Sequence, residues 1–183
     1  GIYFKSKNKN GVVRFNTVRR CNEMLLGAAY SAQVDSFYGN TLIGDGSNYA
    51  LDYSQNLEVP YSNNLVFFNN TLYNCAVTTG LHTYEDSDGT GHKFKYNIQF
   101  DSASGDYIDN ISGAWTARWT IDSNLIYTDD YNFFYNGLDR TWSYWTGTLG
   151  KDTHSDTVYS HLDFNDPAND DFSRPLSTQE MDF

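Results

Sequence analysis

Five short apolar segments in this chain run into an asparagine followed by Thr or an apolar residue. They are VVRFNTV (12–18), DSFYGNTLI (35–43), LVFFNNTLY (65–73), KFKYNIQF (93–100) and TIDSNLIY (120–127). The anchor residues are Asn16, Asn40, Asn70, Asn97 and Asn124, at intervals of 24, 30, 27 and 27 residues. Asparagine is a poor strand former and a good turn former. Its return at one phase of a strand pattern therefore points to equivalent corners of a repeating unit rather than to isolated turns.

A second series lies between the anchors: GIYFKS (1–6), EMLLGAA (23–29), YALDYS (49–54), TGLHTYE (79–85) and GDYIDN (105–110). Each unit thus holds a short strand, a turn, a second strand and a variable loop. A unit this small cannot bury its own apolar face, whereas stacked units cover one another. The expectation is an all-β, right-handed parallel β-helix, a solenoid in which equivalent residues stack about 4.8 Å apart. Stacked asparagines can then bond one another's amides. A five-stranded antiparallel sandwich is the rival, but it gives no reason for Asn to recur at fixed phase. Residues 1–128 read as stacked rungs. Residues 129–183 read as an aromatic capping segment of the same domain, since open coil ends expose strand edges. Gly1 opens directly in a strand, and the expectation is the C-terminal part of a longer coil or an end covered by another chain.

Composition agrees with this class. Aromatic residues make up 17% of the chain, enough for a core, and Gly, Asn, Ser, Thr and Asp supply turns. The net charge of −11 argues against nucleic acid as a partner. Yet Lys5, Lys7, Lys9, Arg14, Arg19 and Arg20 form a basic start without a single acid. That end suits a polyanion or a solvated edge. No apolar run approaches the roughly 20 residues of a membrane helix. Cys21 and Cys75 permit one disulfide, but buried free thiols are the preferred reading.

The repeats resemble the right-handed β-helix superfamily of pectate lyase-like, carbohydrate-active proteins. DYNFFYNG (130–137), LGKDTHSD (149–156) and LDFNDPANDDFSRPLS (162–177) look like the closing segment of many such proteins. KSKNKNGVVRFNT (5–17) and GNTLIGDG (39–46) resemble the first rungs of the alginate lyase and chondroitinase B family. That resemblance implies a lysine base at Lys5 or Lys7 and a secreted or cell-surface location. The family's LRHG stretch is LLGAAYS (25–31) here, without Arg or His.

Phasing the second series on Ile2, Leu51 and Leu81 aligns Tyr3, Asp52 and His82, and then Lys5, Ser54 and Tyr84. Strand alternation puts such positions on one face. The candidate catalytic residues are Lys5, Asp52, His82, Tyr84 and Glu85, with Lys7, Arg14, Tyr3 and Trp115 as substrate contacts. A polysaccharide lyase needs a base beside a uronate carboxylate and a group that neutralises it. Lys5, His82 and Tyr84 supply bases. A glycoside hydrolase needs paired carboxylates, for which Asp52 with Glu85, or Asp106 with Asp109, are the candidates. Each of these residues also has a structural reading: a His–Asp hydrogen bond, a packed tyrosine, surface lysines.

The expected function is a lyase on an acidic glycan, with no required cofactor. The alternatives are a hydrolase, or a non-catalytic adhesin or filament subunit that pairs end to end. EDSDGTGH (85–92) resembles a calcium loop, with Asp86 and Asp88 as ligands, although Asp-Gly runs are first of all turn chemistry.

Overall fold

The computed structural model describes residues 2–5, 10–19, 24–29, 36–44, 49–54, 64–74, 78–84, 90–100, 106–111, 117–127, 133–135, 138–157, 166, 169 and 171. Strands come in sets of three. The first set is β1 (Ile2–Lys5), β2 (Val12–Arg14) and β3 (Thr17–Arg19). The second is β4 (Met24–Ala29), β5 (Ser36–Tyr38) and β6 (Thr41–Ile43). The third is β7 (Tyr49–Ser54), β8 (Val66–Phe68) and β9 (Thr71–Tyr73). The fourth is β10 (Thr78–Tyr84), β11 (His92–Lys95) and β12 (Ile98–Phe100). The fifth is β13 (Asp106–Ile111), β14 (Trp119–Asp122) and β15 (Leu125–Tyr127). β16 (Phe133–Tyr135), β17 (Leu138–Arg140), a π-helical turn at Tyr144–Thr148 and β18 (Asp156–Thr157) follow.

Each strand pairs with its equivalent in the next set. The result is three sheets, ordered β1-β4-β7-β10-β13-β16-β17, β14-β11-β8-β5-β2 and β18-β15-β12-β9-β6-β3. Pairing between named strands is parallel except for β16 with β17. The all-β expectation with parallel strands therefore holds, and the antiparallel sandwich does not.

The register stacks like on like. In the five-stranded sheet Val13, Phe37, Phe67, Phe94 and Ile121 form one buried column. Phe37 and Phe67 lie with ring centroids 4.6 Å apart and planes 10° apart, so the stack follows the strand spacing. In the six-stranded sheet Val18, Leu42, Leu72, Gln99 and Ile126 form the matching column. Gln99 is its polar exception, and its amide has no hydrogen-bond partner among the described residues.

The anchor asparagines stand at the corner joining these two sheets. Asn40, Asn70, Asn97 and Asn124 are at most 1% exposed. The Nδ2 of Asn40 donates to Asn70 Oδ1 at 3.0 Å, and that of Asn70 to Asn97 Oδ1 at 3.0 Å. Asn97 repeats the bond to Asn124 at 3.2 Å, and Asn16 makes it to Asn40 at 3.1 Å. The same Oδ1 atoms accept from the backbone N–H of the preceding asparagine, at 2.9–3.1 Å. The second Nδ2 proton goes to the carbonyl of Val13, Phe37 or Phe67. Two donors and two acceptor sites is the whole capacity of an amide, so each interior asparagine is fully satisfied. That satisfaction is what lets four polar side chains sit in the core.

The residue before each anchor makes the corner. Phe15, Gly39, Asn69, Tyr96 and Ser123 have φ of 55°, 62°, 52°, 58° and 60°. Gly and Asn accept this left-handed geometry readily. For Phe15 and Tyr96 it costs about 1–2 kcal/mol.

The ladder closes at the segment after the π-helical turn. Asn124 Nδ2 donates to Asp152 Oδ1 at 2.8 Å, and Asn124 N to Ser155 Oγ at 2.7 Å. Ser155 Oγ in turn bonds Asp152 Oδ1, and Trp145 Nε1 donates to Asp152 Oδ2 at 2.8 Å. Asp152 N and Lys151 Nζ reach the carbonyls of Ile121 and Trp119 on β14. The G-x-D-x-HS turn of the sequence thus ends the ladder with Asp152 and Ser155. Burial raises the Asp152 carboxyl above 3.8, against the opposing hydrogen bonds from Ser155, Trp145 and Asn124. Burial likewise lowers the Lys151 ammonium, partly offset by the Asp152 charge.

Candidate functional site

The seven-stranded sheet carries Lys5, Asp52, His82 and Tyr84 of the predicted catalytic residues, on β1, β7 and β10. Ile2, Leu26, Leu51, Leu81 and Ile108 are in register, as the phasing required. One position on, Tyr3 aligns with Gly27, Asp52, His82 and Asp109. Lys5 aligns with Ala29, Ser54 and Tyr84. His82 therefore stands between two aspartate positions on adjacent strands, each about 4.8 Å away along the sheet. Lys5 and Tyr84 are three strand spacings apart, roughly 14 Å between backbones. Lys7, Glu85, Asp86, Asp88, Trp115, Cys21 and Cys75 lie outside the described residues.

Arg14 is on another sheet. It belongs to the outward column Arg14, Tyr38, Phe68, Lys95 and Asp122 of the five-stranded sheet. Arg14 Nη1 donates to the Tyr38 hydroxyl at 2.9 Å. Tyr38 stacks on Phe68 with centroids 4.8 Å apart, and Phe15 meets Tyr38 edge-on at 5.5 Å. Lys95 Nζ lies 5.2 Å from the Tyr96 ring centroid and 3.9 Å from Asp122 Oδ2. That ion pair is loose and worth little by itself.

At the far end His154 holds Asp122 twice, by its backbone N–H at 2.9 Å and its ring Nδ1 at 2.9 Å. Burial pushes the Asp122 carboxyl up. The His154 and Ser123 hydrogen bonds outweigh burial and leave the group below 3.8. Beside this strip, a surface pocket of about 290 Å³ opens between Asn69, Thr71, Tyr96, Ile98, Ser123 and Leu125.

Sequence reasoning singled out Arg14 and missed the rest of this strip. Arg14, Tyr38, Phe68, Lys95 and Asp122 each stand two residues before an anchor asparagine, but they share no residue type that would mark them.

Metal sites gain no support. Among the described residues no three His, Cys, Asp or Glu side chains gather. His92, the last residue of the Asp-Gly loop, is buried in β11, where its Nδ1 accepts from Leu65 N at 3.3 Å and its ring stacks on Trp119. In the acidic closing segment 162–177 the Asp166 carboxylate accepts from Asn169 N and Nδ2, as in an ordinary turn. No helix among the described residues is long and apolar enough to cross a membrane.

Comparison with known proteins gives no match to a family, to a curated protein or to a solved structure.

Proposed function

We propose that the three sheets are the faces of a right-handed parallel β-helix, and that the seven-stranded face cleaves an acidic polysaccharide by β-elimination. The observation that carries this reading is the register column Asp52–His82–Asp109. Two positions along the same strands, and so on the same side of the sheet, come Ser54 and Tyr84. In this reading His82, oriented by an aspartate neighbour, removes the proton beside a uronate carboxylate. Tyr84 protonates the leaving oxygen, and Lys5 holds a carboxylate further along the polymer. Every third strand returning to one sheet gives a long face, which suits a polymer with one sugar at each rung.

The second reading is hydrolysis. Asp52 and Asp109 flank His82 two strand spacings apart, roughly 10 Å between backbones. Inverting glycosidases hold their two carboxylates about 6.5–9.5 Å apart, the separation this pair would have to reach. It joins Asp52 with Glu85, and Asp106 with Asp109, as a pair to test.

The experiment is an assay of the protein on alginate, pectate and chondroitin, following the absorbance of unsaturated product. The expected result is cleavage of one uronate polymer that falls about 100-fold or more in His82→Ala. Release of reducing ends from a neutral glycan, with no unsaturated product from any uronate, would replace the lyase by the hydrolase. A cleaved polymer with His82→Ala fully active removes the chemistry from this column.

A further inference from the structure

The outward strip of the five-stranded sheet carries a feature that folding does not require. At the left-handed corner the chain uses Gly39, Asn69 and Ser123, residues that tolerate that geometry, but also Phe15 and Tyr96. Phe15 is 73% exposed and Tyr96 50% exposed. A strained aromatic is ordinarily repaid by burial, and these two have little of it.

Their surroundings are those of a ligand platform. Phe15, Tyr38 and Phe68 form a run of rings in edge and stacked contact. Tyr96 forms one wall of the pocket and lies beneath the Lys95 ammonium. The charge of this sheet opposes that of the chain. Its strands carry Arg14, Lys93 and Lys95 against the single acid Asp122, while the whole chain stands at −11. Arg14 uses one of its five guanidinium N–H groups on Tyr38. Asp122 is already held by His154, so the acid end of the strip is occupied and the basic end faces outward.

We propose that the strip from Arg14 to Lys95, with Tyr96 and its pocket, binds an acidic oligosaccharide as a site separate from the seven-stranded sheet. Rings carry the sugar faces, and Arg14 and Lys95 carry the carboxylates. The ligand's class rests on the glycan reading above; the site does not rest on any chemistry in that sheet. The strip lets the protein hold a polymer on one face while another face works on it.

The test is calorimetric titration of oligogalacturonate and oligomannuronate into the full chain in a His82→Ala background, which removes the proposed base. The variants are Tyr96→Asn and Arg14→Gln. Asn69 already holds the same corner geometry, so Tyr96→Asn removes the ring without straining the turn. Each variant is expected to weaken the binding of one uronate oligomer about fivefold or more. Carboxyl-reduced oligomers should bind weakly, and equally to the parent chain and to Arg14→Gln. Unchanged affinity in the double variant overturns the proposal. So does binding of carboxyl-reduced oligomers, or of an acidic peptide, as tight as that of the uronate oligomer, because the first denies the charge readout and the second denies the sugar readout. Binding that follows these expectations, with no polymer cleaved by the parent protein, ends the lyase reading and leaves this site standing.

Discussion

The side-chain amide of Asn124 donates to the Asp152 carboxylate at 2.8 Å, so a buried acid completes a file of five asparagines. Among the described residues every hydrogen-bond partner of that carboxylate is an N–H or O–H group: Asn124 Nδ2, Ser155 Oγ and Trp145 Nε1. An amide in its place would turn an N–H toward one of those donors. Asp152→Asn is expected to lose about 1–3 kcal/mol of stability, and Trp145→Phe should relieve part of the loss when combined with it. Urea unfolding of the two single variants and the double variant measures the coupling. A double variant that simply adds the two losses would show that the Trp145 bond is not the cause.

Asp152 and Asp122 give opposite responses to pH. Asp152 has a raised carboxyl, so the folded protein binds its proton more tightly than the unfolded chain does. Its contribution therefore weakens stability as pH rises from 3.8 through the raised value, and Asp152→Asn should flatten that limb. Asp122 has a lowered carboxyl, so it supports the fold above 3.8 and that support is lost as pH falls through the lowered value. Asp122→Asn should flatten only the acid limb. Unfolding midpoints across the acid range separate the two, and a flattened acid limb in Asp152→Asn would contradict this assignment.

Position in the ladder should set the cost of breaking it. Asn97→Ala strands the backbone N–H and Nδ2 of Asn70, and it removes two donations, to Asn124 and to Phe67 O. A loss of about 3 kcal/mol or more is expected, from two buried donors left unpaired. Asn16 is half-buried at the other end, and among the described residues its Oδ1 accepts no hydrogen bond. Asn16→Ala should cost about 1 kcal/mol. Equal costs at the two positions would mean that the ladder is not a cooperative buried network.

Gly39 is required twice. Its φ is +62°, and a Cβ there would lie 2.8 Å from the Phe15 ring. Gly39→Ala is expected to destabilise by about 1–3 kcal/mol. Phe15→Ala in the same chain should return the steric share and leave the backbone share. No rescue at all would assign the whole effect to φ.

Much of this architecture was readable before any coordinates. The anchors Asn16, Asn40, Asn70, Asn97 and Asn124 and the apolar positions Ile2, Leu51 and Leu81 each repeat a residue type at one phase. The register follows directly from that repetition. Asp152 was not readable, although it stands 28 residues after Asn124, within the period. It is the one ladder member of a different residue type, and a turn rather than a strand delivers it. The strip was hidden for another reason. Arg14, Tyr38, Phe68, Lys95 and Asp122 share a phase but no chemistry, so no pattern of residue type marks them.

The ladder also behaves as a polymer of fixed polarity. An asparagine is a bifunctional unit, since its Oδ1 receives from one neighbour and its Nδ2 gives to the next. A carboxylate can only receive. Asp152 is therefore a chain terminator, and no further amide can be joined to the file beyond it. The length of this polar spine is set at that end by one atom, the oxygen that stands where an amide nitrogen would continue it.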